Sequence, residues 1–170
     1  FNDALFDGRL PPCLITLQRT PGHVASFSAN RFVDHDDLTA FSHEISVHPG
    51  YFATQAPKMI LSNLVHEMVH LEAAIEDPEG SAKTPGYHSA DWAKRMNRVG
   101  LVPSHTGRPG GKMLGFRMYH YIHDGGPFDL AADKLLEEGW HLTWLDRVAE
   151  EIKADELESE PMRVTAQPLP

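Results

Sequence analysis

The stretch KMILSNLVHEMVHLEAAI, residues 58–75, decides the reading of this chain. Its apolar residues Ile60, Leu64, Met68, Leu71 and Ile75 recur at helical spacing, and Pro57 suits a first turn. A helix is expected here. Inside it lies the pattern HExxH, spelled by His66, Glu67, Met68, Val69 and His70. Residues four apart stand one above the other on a helix face, so both imidazoles can reach one zinc ion. Glu67 lies beside the first of them, on the side where water would bind. It can take a proton from that water and return it to a leaving amine. The plainer reading is two exposed histidines that share nothing.

A catalytic zinc site takes three protein ligands and keeps a position open. The downstream candidates are Glu72, Glu76, Glu79, His88 and Asp91. Glu72 and Glu76 follow on the same helix, but their Cβ directions differ from those of His66 and His70. They are expected to be solvated or peripheral to the ion. Glu79 falls in a loop, residues 77–86. His88 comes after that loop, which is long enough to turn back, and just before a second helix over residues 89–99. His88 is the expected third ligand, with Asp91 next. A ligand there would bring the second helix across the first.

Upstream the apolar period is two. LITLQR (14–19), VASFSANRF (24–32) and EISVH (44–48) read as strands. The opening FNDALF (1–6) reads as the end of a helix, closed by Asp7, Gly8 and the pair Pro11 and Pro12. Downstream, Gly100 suits a helix C-cap. PSHTGRPGGK (103–112) reads as a loop, 113–122 as a strand and 129–138 as a helix. WHLTW (140–144) reads as a final strand, and 155–170 as an acidic, Pro-rich tail. The expected class is α+β. A small, mostly antiparallel sheet would pack on the HExxH helix and on a second, ligand-bearing helix. One domain would cover residues 1–154, with a core over 1–101 and a strand–helix–strand extension over 102–154.

The remaining candidates carry plainer roles. His43, His48, His120 and His123 are expected to be structural or at the surface. Tyr87, Tyr119 and Tyr121 could each stabilise an oxyanion, although core packing is the plainer role. Cys13 is expected as a small buried hydrophobe.

Composition limits what the chain can be. Of 170 residues, 41% are apolar and 23% charged, which supports a packed core. Fifteen Lys and Arg stand against 24 Asp and Glu, a net charge of -9. Such a chain is not a general nucleic-acid glove, because phosphate binding needs a positive field. One stretch runs the other way. Residues 94–117 carry Lys94, Arg95, Arg98, Arg108, Lys112 and Arg117 and no acidic residue. They form the one candidate phosphate-facing patch, and a solvated helix face and loop is the competing account. One cysteine excludes an internal disulfide and a Cys-rich zinc ribbon, and fits a reducing, cytoplasmic setting. No run of apolar residues is long enough to span a membrane, and no signal peptide is visible. The first residue is Phe rather than Met, so the chain reads as trimmed. Eleven histidines are an excess that points to metal or proton chemistry.

Four stretches together resemble the SprT-like zinc metallopeptidases, a family that includes Spartan-type DNA–protein crosslink proteases. They are FNDALFDGRLP at the start, EISVHPGYF, LVHEMVHLEAAI, and PGYHSADWAKRMNRVGL. HExxH followed by a loop and H-x-x-x-W is more specific than HExxH alone. The resemblance implies a minimal zincin core, one zinc held by His66, His70 and His88, and Glu67 as the base. It implies a metalloendopeptidase, with substrate lying as an extended strand beside a sheet edge. In one version the substrate is a protein bound or crosslinked to DNA. Two departures stand out. Many members carry a four-cysteine zinc ribbon that this chain cannot build, and residues 111–170 hold 6 basic against 12 acidic residues. The rival from another class is a zinc-stabilised binding or toxin-like module with a structural metal or one dedicated protein target. A fourth protein ligand, Glu79 or Asp91, would mark it.

Overall fold

The expected long helix forms as α2, Pro57–Glu76, 20 residues and about 30 Å long. Pro57 opens it and Pro78 follows its end, as proline allows at a first turn and forbids inside a helix. The computed structural model describes residues 1–82, 84 and 86–146; the tail expected over 155–170 lies outside them. The chain is mixed α+β. A short α1 (Asn2–Phe6) precedes strands β1 (Cys13–Leu17), β2 (Ala25–Val33) and β3 (Phe41–Val47). After α2 come α3 (Pro78–Ala82), β4 (Tyr87–His88), α4 (Ala90–Arg98) and β5 (Leu101–Ser104). Then follow β6 (Gly115–Phe116), β7 (Tyr119–Ile122) and α5 (Pro127–Glu137).

The first three strands form one sheet in the order β1-β3-β2. β3 runs parallel to β1 and antiparallel to β2, so β2 is an edge. Alternation along β3 puts Ile45 and Val47 on one face and Glu44 and Ser46 on the other. On that second face, Glu44 accepts hydrogen bonds from Thr16 and Gln18, both at 2.7 Å. The register of β2 breaks between Ser28 and Phe32, where Asn30 takes a left-handed φ of 50°. Two small antiparallel pairs, β4–β6 and β5–β7, complete the strands.

The main core gathers around α2, and Cys13 of β1 and Phe27 of β2 pack against it. Leu61, Val65 and Val69 meet Phe6, Trp92, Met96, Leu101 and Phe128 there. Phe6 and Phe128 are fully buried and each contributes roughly 2–3 kcal/mol of apolar transfer. Because α2 is covered on two sides, its deepest stripe is Leu61–Val65–Val69, whereas Leu64, Met68 and Ile75 are half-buried. Ser89 caps α4 by accepting the Trp92 amide at 3.2 Å. Gly100 ends it at φ 86°, where a Cβ would meet the Pro127 ring at 3.0 Å.

Several expectations are corrected. No strand forms over 140–144, and Trp144 is 84% exposed. The alternation is present, but among the described residues no strand edge pairs with it. Instead Asp146 takes a salt bridge from Arg19 at 2.7 Å, beyond the end of β1. Among the described residues, α5 is therefore not followed by the expected second strand. The single strand expected over 113–122 is split into β6 and β7, with Arg117 at φ 53° between them. Part of the expected loop 103–112 belongs to β5, and α3 forms inside the expected loop 77–86.

Candidate metal centre

Ser62, His66 and His70 recur every four residues along one face of α2. His88 reaches that face from β4. It is a strand residue rather than part of the second helix, which corrects the expected ligand-bearing helix. β4 is held there by its antiparallel pairing with β6, Tyr87 opposite Phe116 and His88 opposite Gly115. Gly115 sits at φ 132°, a conformation that suits glycine, and its carbonyl lies 3.0 Å from His88 Nδ1. His88 donates that Nδ1–H to the carbonyl, which leaves its Nε2 as the bare nitrogen.

Among the described residues, His66, His70 and His88 form the one group of three or more metal-ligating side chains whose donor atoms converge. Those atoms lie within 4.8 Å of one another. The Nε2 atoms of His70 and His88 are 3.1 Å apart. Two ligands of a tetrahedral zinc at about 2.0–2.1 Å are separated by about 3.3 Å. The group could therefore hold a metal ion. Burial depresses all three imidazoles below their ordinary range, His66 well below it and His70 to about 3. Neighbouring histidines add to this at His66 and His70. Each is thus neutral at pH 7 with a lone pair free, the form a cation requires. The indole of Trp92 packs against all three, with ring centroids 5.1, 5.4 and 4.2 Å from His66, His70 and His88.

Glu67 is 8% exposed, and burial pushes its carboxyl up to about 8. The backbone N–H of Phe27 in β2 donates to it and opposes that shift. A cation nearby would oppose it further. Glu67 is thus tied to the edge strand that flanks the site.

The other ligand candidates are elsewhere. Glu72 is not solvated: it is 2% exposed and accepts from Arg98 at 2.6 and 2.7 Å and from Arg9 at 3.2 Å. Glu76 pairs with Arg9 and Arg95, and Asp91 pairs with Arg95 at 2.7 Å. Glu79 is exposed on α3. Two members of the basic stretch, Arg95 and Arg98, are therefore engaged by carboxylates. Lys94, Arg108, Lys112 and Arg117 have no ion pair among the described residues, and Arg117 lines the cleft described next.

The histidines open onto a cleft of about 2200 Å³. α2 is its floor, residues 24–27, 29 and 30 its first wall, and Tyr87, Phe116, Arg117 and Tyr119 its second. Tyr87 and Tyr119 are nearly half exposed on that wall rather than packed in the core, while Tyr121 does not line it. Of the other histidines expected to be structural or at the surface, His43 also lines the cleft, whereas His48 does not. His43 Nδ1 accepts the Asn30 amide, and His48 Nδ1 accepts the Gly50 amide. Cys13 is half-buried. His120 is the residue that sequence reasoning undervalued. It is 3% exposed and its Nδ1 lies 3.1 Å from Nδ1 of His66. The signal was present in YHYI, where His120 shares the alternating face of Ile122 rather than that of the tyrosines.

No helix among the described residues is long and apolar enough to cross a membrane. No protein-family model matches the chain, and neither a curated protein nor a solved structure matches it.

Proposed function

We propose that this protein is a zinc-dependent endopeptidase with a zincin-type core, of the SprT-like kind. The observation that carries the proposal is one juxtaposition. Three neutral imidazoles converge beside the buried carboxyl group of Glu67, on the floor of a long cleft walled by a sheet edge. His66, His70 and His88 would hold the ion. Zinc, when bound, supplies Lewis-acid polarisation and lowers the pKa of water.

The chain's own residues supply the rest. The free edge of β2 offers backbone groups on which an extended peptide can lie as an added strand. Phe27 N–H orients the Glu67 carboxylate on that same edge. Glu67 accepts a proton from the attacking water and passes it to the leaving amide nitrogen. Trp92 excludes water from behind the imidazoles. Tyr87 and Tyr119 line the same cleft, and one of their hydroxyls would meet a developing oxyanion.

Glu67→Gln tests this. The variant should bind zinc as wild type does and lose about 10²–10⁴-fold in cleavage of an unstructured protein such as casein. Full activity with zinc bound would refute the mechanism. A zinc-loaded wild type that cleaves nothing would favour the structural-metal module. Action on DNA-bound proteins is the narrower version, for which Arg117 in the cleft and Lys94, Arg108 and Lys112 remain unpaired. Cleavage that rises with single-stranded DNA and falls steeply with salt would support it.

A further inference from the structure

Behind the proposed metal site runs a chain of hydrogen bonds whose direction can be counted. Ser62 Oγ–H donates to the Met59 carbonyl at 2.8 Å. Its one hydrogen is thereby used, so Oγ meets His120 Nε2, 2.9 Å away, as an acceptor. His120 must then carry its proton on Nε2. A neutral imidazole has one N–H, so His120 Nδ1 is bare and accepts from His66 Nδ1–H at 3.1 Å. His66 is left with its lone pair on Nε2.

We infer that His120 and Ser62 form a positioning relay that holds His66 in the tautomer a metal ion needs, with the proton on Nδ1 and Nε2 bare. Reversing the relay would place a hydrogen on His66 Nε2, where it would block the ion. Carboxylates and carbonyls commonly fill this role for metal-bound histidines. Here His88 uses the Gly115 carbonyl, whereas His66 uses a second histidine that is itself fixed by a serine one helical turn away. His120 comes from β7 and Ser62 from α2, so the relay also ties the β5–β7 pair to the site. All three partners are buried, with Ser62 fully so, and bulk water does not compete for the bonds.

This inference rests on the metal-site reading above, and its test reads metal affinity rather than cleavage. Zinc dissociation constants of the full chain are measured by competition with a chromophoric chelator, and folding of each zinc-free variant is checked by circular dichroism. His120→Leu removes the acceptor and should weaken zinc about 10–100-fold. His120→Gln restores a carbonyl acceptor and should recover most of that loss, which a merely space-filling role would not predict. Ser62→Ala should fall between them. A folded His120→Leu with wild-type affinity overturns the relay. A second readout needs no variant. In ¹⁵N-labelled, zinc-loaded wild type, long-range ¹H–¹⁵N correlations should show the proton of His66 on Nδ1 and that of His120 on Nε2. A His120 proton on Nδ1 overturns the relay even if every variant misfolds. Wild type that takes up no zinc fails the metal reading itself and this inference with it.

Discussion

The middle of α2 and its C-terminal part bury polar side chains by opposite means. Near its middle, His66, Glu67 and His70 are held neutral or near-neutral, with lone pairs that no protein donor saturates. Two residues beyond His70, Glu72 is also buried but closed off, with Arg9, Arg95 and Arg98 around one carboxylate. The neighbouring Trp92 repeats the contrast. Its Nε1 is the one buried side-chain polar atom without a partner among the described residues. A saturated polar cluster is a fastening, because every charge is answered within the fold. An unsaturated one retains bonding capacity for something that is not protein. That difference, more than burial or residue type, separates the candidate site from the scaffold.

The comparison can be broken at either end. The largest effect is expected for His88→Ala, which should weaken zinc binding by about 10³-fold, read by chelator competition. Its fold should persist, because His88 contributes little to the core. Glu72→Ala should do the reverse, leaving zinc affinity unchanged and lowering the unfolding free energy by about 3 kcal/mol in urea. If Glu72→Ala abolished zinc binding, the division between site and fastening would be wrong.

Acid sharpens the contrast, since only the neutral cluster resists protonation. Burial holds His70 at about 3 and His120 at about 4, against an ordinary 6.5. Between pH 6.5 and 4 the unfolded chain takes up protons there that the folded chain refuses, so stability is lost on acidification. Glu67 acts the other way: its carboxyl sits at about 8 against 4.5, so its contribution falls as pH rises across that window. His66, His70 and His120 outnumber it. Zinc-free protein should therefore melt at a lower temperature at pH 5 than at pH 7. The smallest effect is expected for Arg9→Gln. Arg9 is half exposed and is one of three cations on Glu72, so its loss should cost under about 1 kcal/mol.

Much of the site was legible because it is local. His66, Glu67 and His70 are fixed by helical spacing alone, and His88 follows from the reach of one loop. The strands around Ile15 and Ile45 were legible from alternation. His120 was harder, because its partner lies 54 residues away and no periodicity links them. Glu72 was misjudged for a related reason: the arginines around it come from the turn after α1 and from α4. Residues 140–144 show the opposite failure. They have the local pattern of a strand, but a strand also needs a free edge, and that is a property of the whole fold. Pro103 and Ser104 read as loop from composition but pair with His120 and Tyr119 in β7.

The placement of His88 has a topological consequence. His70 and His88 are 18 residues apart, with α3 and the turn into β4 between them. An ion shared by them would close that loop covalently in all but name, in a chain whose single cysteine cannot make an internal staple. A cross-link over a loop of this size restricts the unfolded ensemble by about 3 kcal/mol. The same ion would anchor β4 to α2, and through the β4–β6 pairing fasten the wall that carries Phe116 and Arg117. Whatever loads the site would therefore also set the width of the cleft.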